Sequence, residues 1–282
     1  MNRRQTGVAL ISVLLVMSLA LLILGAVLHS HRLLVKSSAQ QLQQLHLRQL
    51  ATAGEAWALR LLQDSPRGAN PTLDLSQEWA RAVPGFDTNQ AQVQIEIHDL
   101  AGRLNLNRLL AGGRVDQVTL ERWTRLLALL DLPPLVLPQA GALHELSQLR
   151  LLAGIDGLFL QQLEPWVALL PADAAFNVNT APALLLRTLG DLDDATAQAL
   201  ARQREADPWA TAQAFTRDPL LAGLEVNGHG LGVDSRWLRI EVSVSDGDGH
   251  LRLSSDVERD AKTGQLNVLQ RRLLPSIDPR LP

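Results

Sequence analysis

From residue 8 to residue 28 the chain runs VALISVLLVMSLALLILGAVL, without one charged position. A helix of about 20 apolar residues, rising ~1.5 Å each, crosses a bilayer core of roughly 30 Å. The helical pattern continues beyond it. Leu34, Val35, Leu42, Leu45, Leu50, Ala53, Trp57 and Leu61 recur at helical spacing with Gln-rich positions between them, and no proline occurs before Pro66. The pattern predicts one helix over residues 8–63, its first half in lipid and its second half amphipathic, with Gly25 and Gly54 as soft points.

Residues 64–89, rich in Pro, Gly and Asp, predict an irregular connection with a short helix near 76–82. Val93, Ile95 and Ile97 then alternate with Gln92, Gln94, Glu96 and His98, which predicts a strand. A turn at Asp99-Leu100-Ala101-Gly102 and renewed alternation over 103–107 predict its hairpin partner. Residues 116–215 read as helical. Asp116 caps a helix with Leu120, Trp123, Leu127 and Leu130 on one face, stopped by Pro133-Pro134. Shorter helices are predicted over 143–152, 159–170, 183–189 and 194–205, the third started by a side-chain cap in Asn179-Thr180-Ala181-Pro182. Strand patterns return at 238–244, 251–257 and 266–273, joined by Asp246-Gly247-Asp248-Gly249 and by the turn residues 260–264. The simplest arrangement is α+β: the early hairpin and the late three-stranded meander share one antiparallel sheet packed on the long helix, and the helical block is a large insertion.

Composition narrows the function. A net charge of −3 over 282 residues argues against a nucleic-acid partner held by bulk electrostatics. The absence of cysteine excludes disulfides, thiolate metal sites and cysteine nucleophiles. Tyrosine is also absent, so the core must be mostly Leu, Ala and Val. The histidines (His29, His31, His46, His98, His144, His229, His250) are scattered, and there is no H-E-x-x-H, G-x-S-x-G or P-loop. A membrane-anchored hydrolase therefore has no residue support, and the chain is expected not to be an enzyme.

The segment Met1-Asn2-Arg3-Arg4-Gln5-Thr6-Gly7 is a short basic leader. Its arginines predict a cytoplasmic N-terminus, with the bulk of the chain across the membrane. Three readings stay open on this segment alone: a plain anchor, a cleaved secretory signal, and a prepilin-like segment cut between Gly7 and Val8 that keeps its apolar helix. A secretory signal has a shorter apolar run and a small-x-small site, and none stands out near His29-Ser30-His31.

Three pieces together resemble one family. Gly7-Val8-Ala9-Leu10-Ile11 resembles a prepilin peptidase site; Gly102-Arg103-Leu104-Asn105-Leu106-Asn107 resembles the G-R-F-N-L-N segment of the K-class minor pseudopilins of type II secretion; Phe176-Asn177-Val178-Asn179-Thr180-Ala181-Pro182 resembles their N-V-N-T-A segment. The resemblance covers essentially the whole chain. It implies a pseudopilin fold, a long N-terminal helix packed on an antiparallel sheet, with a large inserted all-α domain. The expected division is a leader over 1–7, the helix over 8–63, the pseudopilin domain over 64–107 and 234–282, and the insertion over 108–233.

The resemblance further implies cleavage by prepilin peptidase after Gly7, N-methylation of Val8, and a bacterial inner-membrane location with the bulk of the chain periplasmic. It implies a place at the pseudopilus tip, nucleating or capping the fibre for export of folded proteins. The partners implied are the other minor pseudopilins and the major pseudopilin, with the exported substrate or the outer-membrane secretin as further contacts. Gly102, Arg103, Asn105, Asn107, Asn177, Asn179 and Thr180 become the motif residues with structural roles.

Position five after the cut is Ser12, where most pseudopilins carry glutamate. In the family that carboxylate pairs with the N-terminal amine of a subunit already in the fibre. A subunit with nothing above it is better without a charge in the bilayer. The chain departs from the family after the first inserted helix, where an acidic calcium-associated loop is usual. Here Asp131 is the one acid in Leu129-Leu130-Asp131-Leu132-Pro133-Pro134, and calcium takes about six to eight oxygens, so no cofactor is expected.

The competing reading is a single-pass anchored helix-hairpin-helix protein for DNA binding or uptake, resembled by residues 177–215. In that motif a Gly-rich hairpin offers amides to a phosphate. Asp191-Leu192-Asp193 and Gly154-Ile155-Asp156 put acids in those places, so no nucleic-acid partner is expected.

Overall fold

The computed structural model of the protein describes residues 5–64, 71–81, 83–87, 91–110, 115–138, 141–247 and 249–275, with side chains described from residue 12 onward except at 83–87. Helix α1 (Gln5–Asp64) runs for 60 residues without a break, through both Gly25 and Gly54. Every side chain from residue 12 to residue 46 is exposed, and packing begins at Leu47. The packed face is Leu47, Ala51, Gly54, Ala58 and Leu62. It is not the stripe expected from the sequence: Leu34, Val35, Leu42, Leu45, Ala53 and Trp57 are exposed, and Leu50 and Leu61 are only half-buried. The reason is steric. A Cβ on Gly54 would lie 2.8 Å from a Val242 methyl and 3.3 Å from one of Val93. Small residues therefore let the helix axis settle close to the sheet, and the large ones are left on another side.

The sheet has five strands in the order β1 (Val83–Asp87), β2 (Ala91–Asp99), β7 (Trp237–Asp246), β8 (Gly249–Arg259) and β9 (Leu266–Leu274), all antiparallel. Alternation along β2 buries Val93, Ile95 and Ile97 against α1. Ile240, Val242, Val244, Leu251, Leu253 and Val257 complete that face. The β7–β8 and β8–β9 connections are the expected turns. In the second, Asp260 accepts from the amides of Lys262 and Thr263, and Gly264 takes φ +71°. Strand β1 was not expected. Residues 76–81 form turns and bends where a helix was anticipated near 76–82, held by Asp74, which accepts from the Ser76 amide and hydroxyl.

The early hairpin does not form. Strand β3 (Leu104–Asn105) leaves β2 and pairs in parallel with β4 (Val167–Ala168). The neighbour of β2 is instead β7, in a nine-residue register from Ala91↔Asp246 to Asp99↔Leu238. The chain thus departs at Asp99 and returns at Trp237 on adjacent rungs, with the Leu100 amide bonded to the Trp237 carbonyl at 3.0 Å.

Between these rungs lies a second core around Trp123, Leu126, Leu127, Leu149, Phe159, Leu163, Leu185, Leu186 and Phe215. It is built from α2 (Asn107–Leu110), α3 (Gln117–Leu129), α4 (Gly157–Leu163), α5 (Ala183–Leu186), α6 (Asp194–Ala206) and α7 (Ala212–Thr216). Strands β5 (Phe176–Asn177) and β6 (Leu231–Gly232) pair in parallel within it. Asp116 caps α3 as expected, accepting from the Thr119 amide at 3.2 Å. Pro133-Pro134 does not stop that helix. It ends earlier in a Schellman turn, with Asp131 at φ +54° and the Leu132 amide reaching back to the Leu127 carbonyl. Two other expected helices are shorter: a 3₁₀ segment covers Leu146–Leu151, and α4 gives way at Pro165 to a 3₁₀ turn and then β4. The start of α5 also differs, because Pro182 occupies its N-cap with no side-chain bond. Asn179 and Thr180 are engaged elsewhere.

Candidate functional site: a bare helix and a polar junction

Two features stand out for function. The first is α1 itself, a helix long and apolar enough to cross a membrane by length and composition. Along it Leu28, Val35, Leu42, Ala53 and Trp57 are exposed on one side, with His46 and Gln49 falling among them between Leu42 and Ala53. At ~100° per residue this side lies about 140° round the helix from the face packed on the sheet. Ser12 is exposed near its start. Gly7 and Val8 lie within the helix, and their side chains are outside the described residues.

The second feature joins the inserted core to the sheet, and it gathers the two motif segments. Asp99, at the end of β2, is buried. It accepts from the Ala101 amide (2.9 Å), Asn177 Nδ2 (2.8 Å) and Thr180 Oγ1 (2.6 Å). Asn177 Nδ2 also donates to the Leu73 carbonyl (2.8 Å), its Oδ1 accepts from the Asn179 amide (3.0 Å), and its own amide donates to the Ala101 carbonyl (2.9 Å). Gly102 is required by the same packing. A Cβ there would stand 2.6 Å from Thr180 Oγ1, 3.0 Å from the Thr180 carbonyl carbon and 3.1 Å from the Ala181 nitrogen.

Asn105 and Asn107 extend the junction along the other motif. Asn105 donates to the Pro171 carbonyl (2.8 Å) and accepts from the amides of Leu170 (3.0 Å) and Asn107 (3.1 Å). Asn107 donates to the carbonyls of Leu143 and Leu170 and accepts from the Leu143 amide. Each asparagine serves irregular backbone that has no ladder partner, which is where a side chain with both a donor and an acceptor is needed. Asn179 clasps Trp209 in both directions: its Nδ2 donates to the Trp209 carbonyl, and its Oδ1 accepts the Trp209 amide. Arg103, half-buried, donates to the Glu164 carbonyl (3.3 Å). Desolvation lowers its pKa, with the Arg239 charge adding to the effect.

Several contributors were not evident in the sequence. Arg204 on α6 is buried and donates from one nitrogen to the carbonyls of Val178 and Ala181, both within the second motif. Burial lowers its pKa to about 10. Arg122 does the same for the returning segment, holding the carbonyls of Asn227 and His229, and burial lowers it to about 10 as well. Burial raises Asp99, against the lowering effect of hydrogen bonds from Ser235, Thr180, Ala101 and Asn177. A lone Asp read as a turn residue gives no sign of this role.

The arrangement holds elements in place, and no nucleophile–base pair is built from it. Among the described residues, no three or more His, Asp or Glu side chains gather as a metal-holding group. The acids of the two helical hairpins act as caps. Asp156 accepts from the Phe159 amide at 2.8 Å, and Asp193 from the Thr196 amide at 2.7 Å.

A helix with one half bare and apolar and the other half packed on an antiparallel sheet defines a membrane-anchored, pilin-like subunit, here with a helical domain spliced between two sheet strands. Residues 176–234 match the family model of type II secretion system protein K. The chain is similar to proteins of that family along nearly its whole length. Type II secretion system protein K of Pseudomonas aeruginosa is 28% identical over a 316-residue alignment covering 96% of this chain and 93% of the relative. The protein of the same name from Klebsiella pneumoniae is 27% identical, with 96% and 97% covered. A chain of the crystal structure of the GspK-GspI-GspJ complex from enterotoxigenic Escherichia coli superposes with a TM-score of 0.72 at 21% identity, covering 85% of this chain and all of that one. That likeness is one of fold. The family match opens at Phe176, the first residue of the second motif, and closes at Asp234, just before β7.

Proposed function

We propose that the protein caps the tip of the type II secretion pseudopilus, where it assembles with other minor pseudopilins to start or terminate the fibre. The observation that carries this reading is the exposed stripe Leu28–Val35–Leu42–Ala53–Trp57 on a helix whose opposite side is already packed on its own sheet. A largely apolar stripe that continues past the membrane-length segment needs another helix to cover it. The solved relative in fold comes from a complex of three such subunits, GspK, GspI and GspJ, and subunits of the I and J kinds, with the major pseudopilin, are the partners proposed here.

On this reading prepilin peptidase cuts between Gly7 and Val8, the new amine of Val8 is methylated, and α1 anchors the chain in the inner membrane with both cores in the periplasm. Ser12, at mature position five, has no carboxylate to pair with a subunit above. The inserted domain, held at the far end of α1, blocks further addition by its bulk and meets the exported substrate or the secretin. No calcium is assigned, since the segment after α3 is a Schellman turn with a single acid. Nor is DNA assigned, since carboxylates cap the helix ends that would hold phosphate.

Intact mass of the protein from membranes with and without prepilin peptidase tests the first step. A chain beginning at Val8 only when the peptidase is present supports it, and a Gly7→Leu variant should stay uncut. Met1 retained in both membranes, or normal processing of Gly7→Leu, overturns it.

A further inference from the structure

We propose that the outer edge of β9, from Gln270 to Leu274, takes up an extended acidic segment of a neighbouring minor pseudopilin as a sixth strand of the sheet. The inference rests on the fibre-subunit reading above. The sheet has two edges, and they are built differently. The β1 edge is five residues long, contains Pro84, and has a register break between Val83 and Phe86, all features that discourage pairing. Strand β9 carries neither proline nor glycine, and among the described residues no strand pairs with its outer side. Its irregularity is confined to Leu269, the extra residue between the pairs Val257↔Val268 and Asp256↔Gln270. From Gln270 to Leu274 the pairing with β8 is regular, so the free backbone groups on the other side form a regular template.

Charge selects the occupant. Strand β9 holds Arg271 and Arg272 and no acid; Arg272 is already held by Asp256 at 3.2 Å, which leaves Arg271 to meet the occupant. Arg271 binds the buried carboxylate of Glu55 on α1 through Nε at 3.0 Å, while its side chain stays 56% exposed. Its remaining guanidinium donors, untaken by any described residue, lie at the edge where a bidentate carboxylate can meet them. Leu273, on the same face and paired with buried Leu253, is 55% exposed, a site for an apolar neighbour two residues from that carboxylate.

The edge also leads into a groove of about 620 Å³ between β9 and the inserted domain, lined by Leu269, Gln270, Leu143, Glu145 and Leu170 among others. An added strand running along β9 would bring one apolar side chain to its mouth. The contact of Arg271 with Glu55 makes this edge continuous with α1, the surface through which the subunit joins its neighbours.

The test is hydrogen–deuterium exchange of the full-length protein in detergent, alone and with its cognate I- and J-class minor pseudopilins. The outward-pointing amides among residues 270–274, every second one along the strand, should exchange freely in the single chain and at least ~10-fold more slowly in the complex. Leu273→Lys, a charge of the kind that blunts natural edges, should weaken assembly by about 10-fold or more and leave the single chain's exchange unaltered. A complex that forms with no added protection at 270–274 overturns the inference and leaves the fibre-subunit reading intact. Protection of the outward amides already present in the single chain also overturns it, because the edge is then covered by its own C-terminal residues or by a second copy. Failure of any complex to form strikes the fibre-subunit reading itself, and the inference with it.

Discussion

Asn177→Ala is the sharpest perturbation of the junction. The side chain is fully buried and makes three bonds: to the Leu73 carbonyl, to Asp99 Oδ2 and from the Asn179 amide, at 2.8, 2.8 and 3.0 Å. Truncation leaves the Leu73 carbonyl and the Asn179 amide without those partners and takes one donor from a buried carboxylate. Each buried group left unpaired costs ~1–3 kcal/mol, and more when it is charged. The total is about 3–6 kcal/mol, against ~5–15 kcal/mol for a typical domain. The assay is urea unfolding of the full-length protein in mild detergent, read from tryptophan fluorescence. Trp79 reports on the core between α1 and the sheet, and Trp123 and Trp209 report on the inserted core. Single-tryptophan versions should show the two transitions coinciding in the parent and separating in Asn177→Ala. A loss under ~1 kcal/mol, or transitions that stay together, would refute the claim that this asparagine couples the two cores.

Gly102→Ala should destabilise the junction by about 1–3 kcal/mol, because backbone atoms of Thr180 and Ala181 stand where the methyl would go; Gly25→Ala, with nothing within 4 Å, should be neutral or slightly stabilising in the same melts. Asp99→Asn tests the raised carboxyl pKa. With the folded pKa above the ordinary aspartate value of 3.8, the folded state holds the proton more tightly than the unfolded. Relative to Asp99→Asn, the parent should therefore gain stability as pH falls through the folded pKa towards that value, and the difference should be flat at higher pH; a difference moving the other way contradicts burial as the dominant cause. Ser12→Glu places a carboxylate in the bilayer at a cost of ~2.5–3.5 kcal/mol on insertion scales, with no amine above it. Secretion by this variant at the parental rate, measured with an exported reporter, would remove the argument for a tip position from residue 12.

The long helix, the β7–β8–β9 meander, the inward face of β2 and the Asp116 cap were legible because each is a local pattern: period, alternation, turn chemistry. What was not legible depends on partners far away in the chain. The packed face of α1 was misplaced because it consists of Ala51, Gly54 and Ala58, which count for little in a hydrophobic pattern but permit close approach, as the 2.8 Å spacing at Gly54 shows. The hairpin expected after Asp99 was displaced by a partner strand on the far side of the inserted domain, which local alternation cannot see. Helices in the insertion are short because packing onto one shared core substitutes for length. The motif residues were recognised through their resemblance, but their chemistry came only with the structure. In sequence, nothing says that Asn177, Asp99 and Leu73 meet.

The geometry of the junction explains why so many polar groups are buried there. Residues 100–237 leave and rejoin the sheet on adjacent rungs, so the ladder from Ala91↔Asp246 to Asp99↔Leu238 runs uninterrupted up to the splice. Two strands side by side form a narrow neck, which by itself is a hinge. Asp99, Asn177, Thr180 and Gly102 close one side of it by tying the second motif to the end of β2. On the β9 side, Gln270 donates to Glu145 at 2.7 Å, and Asp256 is bound by Arg239 at 2.6 and 3.0 Å and by Arg272 at 3.2 Å. Apolar packing is non-directional and would leave the inserted core free to rock. Directional hydrogen bonds made by side chains on both sides specify one orientation. The buried asparagines and Asp99 therefore resist bending of the neck, at the cost of desolvating a carboxylate.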